Sequence, residues 1–115
     1  MVELIKKNIS DVEIVFHKEI ERICETKMEF FNNLFKKYDK DMVVEIIFDK
    51  SSSLYKVSAS INMKSKKVLV VEEDKDVIKA VTRLCQEFKK AVKRQYELEK
   101  KDYEYKRKRD KKRKR

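Results

Sequence analysis

Two stretches with the apolar spacing of a helix flank a central block with the spacing of strands. In the first, Phe16, Ile20, Ile23, Phe31, Leu34 and Tyr38 share one direction at about 100° per residue, with Cys24, Met28 and Phe35 at its margin. Lys18, Arg22, Glu29 and Lys36 fall opposite. This predicts a helix from about Val15 to Lys37, preceded by a polar break at Asn8, Ser10 and Asp11. Residues 12–16 also fit an extended segment, and Val2 to Lys6 fits a short edge strand. Met42 to Asp49 is rich in β-branched residues, and Leu54 to Met63 alternates strictly, with Tyr55, Val57, Ala59, Ile61 and Met63 on one face. Val68 to Val71 begins a further strand after the turn Lys64–Lys67. From about Lys75 past Tyr96 helical spacing returns, placing Val77, Val81, Leu84, Phe88 and Val92 on one side.

The order is (β)αβββα without repeats. It predicts an α+β domain over residues 1–98, in which two helices bury their apolar stripes on one face of a mainly antiparallel sheet. Beyond Leu98 the apolar spacing stops. Residues 99–115 are expected to form a basic tail, either a frayed extension of the helix or disordered until a polyanion binds it.

Charge sharpens this picture. The net charge is +10, but residues 106–115 alone carry +8, leaving +2 over residues 1–105. In the second helix Lys79, Arg83, Gln86, Lys90, Lys93 and Arg94 cluster within roughly 60° of the direction opposite the apolar stripe. Cations spaced one or two turns apart along a helix suit phosphates lining an RNA surface. An ordinary solvated lysine face has the same appearance, but acidic residues are nearly excluded from this stripe until Glu97, and a cationic tail continues it. Tyr103 and Tyr105, just before the cationic run 106–115, either stack on bases or end a helix.

Other chemistries find little support. The absence of glycine and proline excludes phosphate-cradling glycine loops and leaves turns to Asn, Asp, Ser and Lys. His17 has no evident nucleophile or metal partner, and Cys24 and Cys85 lie at the margins of apolar stripes as expected for buried, inert thiols. The run Glu72-Glu73-Asp74 with Asp76 lacks ligand spacing and is better suited to capping the second helix. Neither an enzyme nor a cofactor or metal is expected. No apolar run approaches a membrane span and no targeting segment is evident, which with two unclustered cysteines predicts a reduced, cytoplasmic chain.

Taken in order, Tyr55-Lys56-Val57-Ser58-Ala59-Ser60-Ile61-Asn62, the hairpin into Val68-Leu69-Val70, and Asp76-Val77-Ile78-Lys79-Ala80-Val81 resemble the short ribosome hibernation-promoting factors, the ribosome-associated inhibitor (protein Y) family. Phe88 to Arg94 and Lys27-Met28 with Phe31 match that family in part, so the resemblance spans roughly residues 11–98. It implies a βαβββα domain similar in shape to double-stranded-RNA-binding domains. It also implies binding between head and body of the small ribosomal subunit, near the decoding centre, where messenger and transfer RNA are blocked and translation is inhibited. By position it assigns RNA contacts to Lys90, Lys93 and Arg94. Lys79 and Arg83 join them on the same stripe, with Lys18, Arg22 and Lys36 on the back of the first helix and Lys106, Arg107, Lys108 and Arg109 in the tail. Phe30, Asn33, Glu87 and Ala91 depart from the family pattern and shift weight to the second helix. The alternatives are a double-stranded-RNA or nuclear nucleic-acid binder whose tail is an address, and a protein-interaction module that neutralises an acidic partner.

Overall fold

A computed structural model of the chain describes residues 2–36 and 41–113, with side chains described through Lys101. The elements are β1 (Val2–Lys7), two 3-10 turns (Ile9–Asp11 and Ile14–Phe16), α1 (His17–Leu34), β2 (Met42–Ser51), β3 (Leu54–Asn62), β4 (Lys67–Asp74) and α2 (Val77–Arg113). One sheet runs in the order β1-β2-β3-β4, with β1 parallel to β2 and the other pairs antiparallel. The α+β architecture expected from the sequence is the one observed.

The two faces of the sheet follow from the period-2 pattern. Met42, Val44, Ile46 and Phe48 of β2 and Tyr55, Val57, Ala59 and Ile61 of β3 are buried under the helices, in register as Val44↔Ile61, Ile46↔Ala59 and Phe48↔Val57. The β2–β3 connection is a two-residue turn between Ser51 and Leu54. A left-handed residue is needed there and glycine is absent, so Ser52 takes φ 56°. Asn8 takes φ 62° after β1 for the same reason. β4 extends further than the apolar run Val68–Val71 because Glu72 and Asp74 continue the pairing, opposite Val57 and Tyr55.

The stripe of α2 is fully seated: Val77, Val81, Leu84, Phe88 and Val92 are buried, packed on β3 and β4. On α1 the buried residues are Ile20, Cys24 and Phe31, with Phe35 just beyond, while Phe16, Ile23, Met28 and Leu34 are half-buried. The seated side is therefore rotated toward residues that the sequence placed at the margin. Tyr38 lies outside the described residues. The helices run side by side in the same direction, matching Cys24 to Cys85, Phe31 to Phe88 (centroids 5.5 Å apart, interplanar angle 66°) and Phe35 to Tyr96 (6.1 Å, 77°). Both thiols are free, and the Cys24 thiol is held below its ordinary pKa by its hydrogen bond with Cys85.

Within residues 12–16, Val12 and Glu13 keep an extended backbone outside the sheet, Ile14–Phe16 form a 3-10 turn, and α1 starts at His17. His17 is half-buried and its Nε2 lies 2.7 Å from the Val12 carbonyl, a hydrogen bond that closes the turn. Glu13 pins this segment to the β2–β3 hairpin by accepting from the Lys50 ammonium and the Tyr55 hydroxyl.

At the far end, α2 stays helical through Arg113, so the described part of the basic segment extends the helix. What changes near Gln95 is its seating. Gln95 and Glu99 lie three and seven residues after Val92, on the side facing the sheet. Gln95 is buried and donates to Ser65 Oγ (2.6 Å) and Glu99 Oε2 (2.9 Å). Glu99 also accepts from the Ser65 hydroxyl (3.0 Å) and the backbone N–H groups of Ser65 and Lys64 (3.2 and 3.3 Å). Partial burial pushes the Glu99 carboxyl up, but the hydrogen bonds from Gln95, Ser65 and Lys64 outweigh it and hold the pKa below its ordinary value. The apolar stripe thus gives way to a polar clasp on the β3–β4 turn.

Leu84 lies at the centre of the α2 stripe with no exposed surface. Leu84→Ala is expected to lower unfolding stability by about 3 kcal/mol, measured by chemical denaturation. The Glu13 clasp predicts a pH effect. Lys50 and Tyr55 hold the Glu13 carboxyl down to about 2, below its ordinary 4.5. The clasp is therefore at full strength above about pH 4.5 and is lost as the pH falls toward 2. In thermal melts across that window, Glu13→Gln should show a flatter decline than the parent.

Candidate nucleic-acid interface

Seating the α2 stripe fixes the rotation of the helix, and with it the direction of every other side chain. Lys79, Arg83, Gln86, Lys90, Lys93 and Arg94 are all exposed, along about 22 Å of helix from the first to the last. From Val77 to Lys101, eight lysines and arginines face only three glutamates.

The helix start is built to hold this face in place. Asp76 Oδ1 accepts from the backbone N–H groups of Ile78 (2.9 Å) and Lys79 (3.3 Å), an N-cap, while Asp74 Oδ1 accepts from Asp76 N–H (2.8 Å). The hydrogen bond from Asp76, with Arg83 and Lys79 nearby, keeps the Asp74 carboxyl below its usual value. Of the acidic group Glu72, Glu73, Asp74 and Asp76, the first three therefore end β4, and Asp76 takes the capping role that the sequence suggested.

The cations of the stripe are not equivalent. Arg83 bonds to Asp74 Oδ2 (2.7 Å) and donates to the Glu73 carbonyl (3.0 Å), strapping α2 to the end of β4. Its side chain is still 48% exposed, so the guanidinium retains an open face. Lys90 lies 3.5 Å from Glu87 with 76% of its side chain exposed, a loose surface pair. Glu87 is thus the one acidic residue on α2 itself before Glu97. Lys79, Lys93 and Arg94 project outward from the same face.

On α1 the expected cations stand in a different field. Between His17 and Leu34 the helix carries Lys18, Arg22 and Lys27 against Glu19, Glu21, Glu25 and Glu29. Arg22 Nε donates to Glu19 at 3.1 Å, and Lys18 shares a shallow depression with Glu19, Glu21, Arg22 and Glu25. Glu19 is held below its usual pKa by Arg22, as expected of an ionised surface pair. Lys36 is exposed just past the helix end. The back of α1 is acidic on balance and that of α2 basic. For Lys106, Arg107, Lys108 and Arg109 the helical backbone is described and the side chains are not; Tyr103 and Tyr105 stand likewise.

One cation was missed by sequence reasoning. Lys89 falls between the two faces of α2, and its ammonium sits 4.5 Å from the Phe30 ring centroid on α1. It brings a positive charge to the seam between the helices, beside Phe30 on α1. The signal lay in the structure's pairing of the two helices, not in the spacing along either one.

Among the described residues no group of three or more His, Cys, Asp or Glu is placed to hold a metal, and no helix is long and apolar enough to cross a membrane.

No protein-family model matches the chain, and no curated protein matches it. Solved structures do. The chain is similar to the protein Y N-terminal domain of Thermus thermophilus, with 22% sequence identity, a TM-score of 0.55, and coverage of 80% of this chain and 93% of that one. A ribosomal subunit interface protein from Coxiella burnetii aligns at 14% identity and a TM-score of 0.49, covering 82% of this chain and 96% of that one. The first likeness shows that the chain has the fold of a protein Y N-terminal domain.

If phosphates are the ligand, each exposed cation of α2 contributes one unit to the salt dependence of binding. Lys93→Ala is expected to lower the slope of log affinity against log salt by about one for a structured RNA, with little change in sequence preference. Fluorescence anisotropy over a salt series measures it.

Proposed function

We propose that this chain is a non-enzymatic ribosome hibernation factor. It binds the RNA of the small subunit near the decoding centre and inhibits translation by occupying the paths of messenger and transfer RNA. The observation that carries the reading is the exposed cationic back of α2, held at fixed rotation on the fold of a protein Y N-terminal domain. Affinity comes from phosphate contacts by Lys79, Arg83, Lys90, Lys93 and Arg94, with Lys89 at the helix seam. Lys18, Arg22 and Lys36 are secondary because glutamates surround two of them. The segment Lys106–Arg109, carried on the continuation of α2, extends the contact along the RNA. Exclusion needs no chemistry: a bound domain that fills a channel silences it. The role is cytoplasmic and regulatory, engaged when ribosomes are idle, as under stress.

Co-sedimentation with purified small subunits tests this. Raising salt from about 50 to 200 mM should weaken binding by roughly a thousandfold, as expected for about six phosphate contacts. The triple reversal Lys90→Glu, Lys93→Glu, Arg94→Glu should abolish co-sedimentation and relieve inhibition in a cell-free translation assay. Unchanged binding by the triple variant defeats the site, and equal affinity for isolated RNA duplexes defeats the ribosomal assignment in favour of a general duplex binder.

A further inference from the structure

β4 ends the sheet, and no strand pairs with its outer edge among the described residues. An uncovered edge of eight residues with neither proline nor bulge is a template for another strand. Which backbone groups it offers follows from the hairpin. Met63 N–H donates to the Lys66 carbonyl (2.9 Å), so the even-numbered residues that follow in β4 turn their backbone groups toward β3. Lys67, Leu69, Val71 and Glu73 turn theirs outward. Arg83 reaches the Glu73 carbonyl from outside, as that alternation requires.

The sequence along this edge, Lys66-Lys67-Val68-Leu69-Val70-Val71-Glu72-Glu73-Asp74, runs from basic through apolar to acidic. Reversed, it sets Lys66 and Lys67 against Asp74 and Glu73 and Leu69 against Val71, with Val68 against Glu72 the one unmatched pair. We infer that β4 pairs antiparallel with β4 of a second copy of this chain about a two-fold axis at Val70, forming a continuous eight-stranded sheet.

In that register Lys67 lies opposite Glu73 of the second copy and Leu69 opposite its Val71, all on the face of the sheet away from the helices. Lys66 lies opposite Asp74. Every directly opposed pair joins residues of the same face, and the outward-turned residues meet one another, so the pairing satisfies pleat and hydrogen bonding together. A shift of two residues either way opposes Lys67 to a residue other than an acid of its own face. The apolar centre is exposed in the single chain, with Leu69 at 58% and Val71 at 44%, and pairing covers both. Arg83 does not block the edge, because a carbonyl has two lone pairs and Glu73 keeps one for the second copy. The opposite edge of the sheet is a poorer candidate: β1 is shorter, and its Lys7 is held by Glu45 at 3.3 Å.

Sedimentation equilibrium of the full, RNA-free chain from micromolar to millimolar concentration tests this independently of any ribosomal role. The chain should shift from one to two chain masses as concentration rises. Lys67→Glu and Glu73→Lys should each weaken association roughly tenfold or more, by opposing like charges twice across the axis. The double variant Lys67→Glu/Glu73→Lys should restore it, because the complement is then re-formed with the signs exchanged. Leu69→Pro removes an outward N–H on an edge strand, where proline is tolerated, and should leave a folded monomer by circular dichroism. A chain that stays monomeric throughout, association indifferent to the single reversals, a double variant that does not recover, or a dimer that survives Leu69→Pro each overturns the inference.

Discussion

Five apolar side chains on one side of α2, set against the sheet by Val77, Val81, Leu84, Phe88 and Val92, determine how the rest of the molecule faces the solvent. A helix has one rotational degree of freedom on a flat surface, and these residues remove it. With them buried, the residues half a turn away have only one place to go. The same burial that stabilises the domain therefore spaces Lys79, Lys90, Lys93 and Arg94 along its outer side. α1 contributes a second wall through the edge-to-face contact of Phe31 with Phe88, so α2 can neither roll nor slide without breaking aromatic packing.

Polar contacts do what the apolar stripe cannot, which is to fix the helix along its length. At its start, Asp76 caps the first turn and Arg83 ties the second to β4 through Asp74 and the Glu73 carbonyl. Four turns later, Gln95 and Glu99 hold the β3–β4 hairpin by its backbone and by Ser65. Between these two ties the helix is a rigid bar, and beyond Glu99 it leaves the sheet. The segment past Leu98 continues as helix without an apolar stripe in its sequence to bury.

Much of this was legible in the residues, for a physical reason. Period-2 alternation in β3 and the α2 stripe are consequences of burial on one side, and both appear in the structure on the residues that predicted them. Less was legible where burial is set by something else. The α1 stripe is turned toward Cys24 and Phe35 because α1 packs on α2 as well as on the sheet, and a wheel drawn for one surface averages over two. β4 runs on into Glu72 and Asp74, residues that no apolar pattern includes, because backbone pairing with Tyr55 and Val57 continues there. Gln95 and Glu99 look like surface polar residues, although their spacing from Val92 places them on the seated side. The pairings Cys24 with Cys85 and Lys89 with Phe30 were beyond reach, since each depends on how two separate helices are matched. Of the interface, the stripe on α2 was visible, and the acidic surroundings of Lys18 and Arg22 were visible too, but their consequence was not.

That consequence bears on how affinity is distributed. A cation contributes to polyanion binding by displacing counterions condensed on phosphates, and it contributes less when a carboxylate already neutralises it. Arg22 beside Glu19 would have to give up a hydrogen-bonded partner to gain a phosphate, and Lys90 beside Glu87 would give up only a loose one. Arg83 differs from both: its partner is the carboxylate that helps cap the helix, so releasing it would loosen α2 from β4. Arg83 is then best suited to present its open face to RNA while keeping Asp74. Under the proposed function, Lys79, Lys93 and Arg94 would meet phosphate without such a loss. Under that proposal every exposed cation of the stripe would add to the salt dependence, and Lys79, Lys93 and Arg94 would do so at the least structural cost.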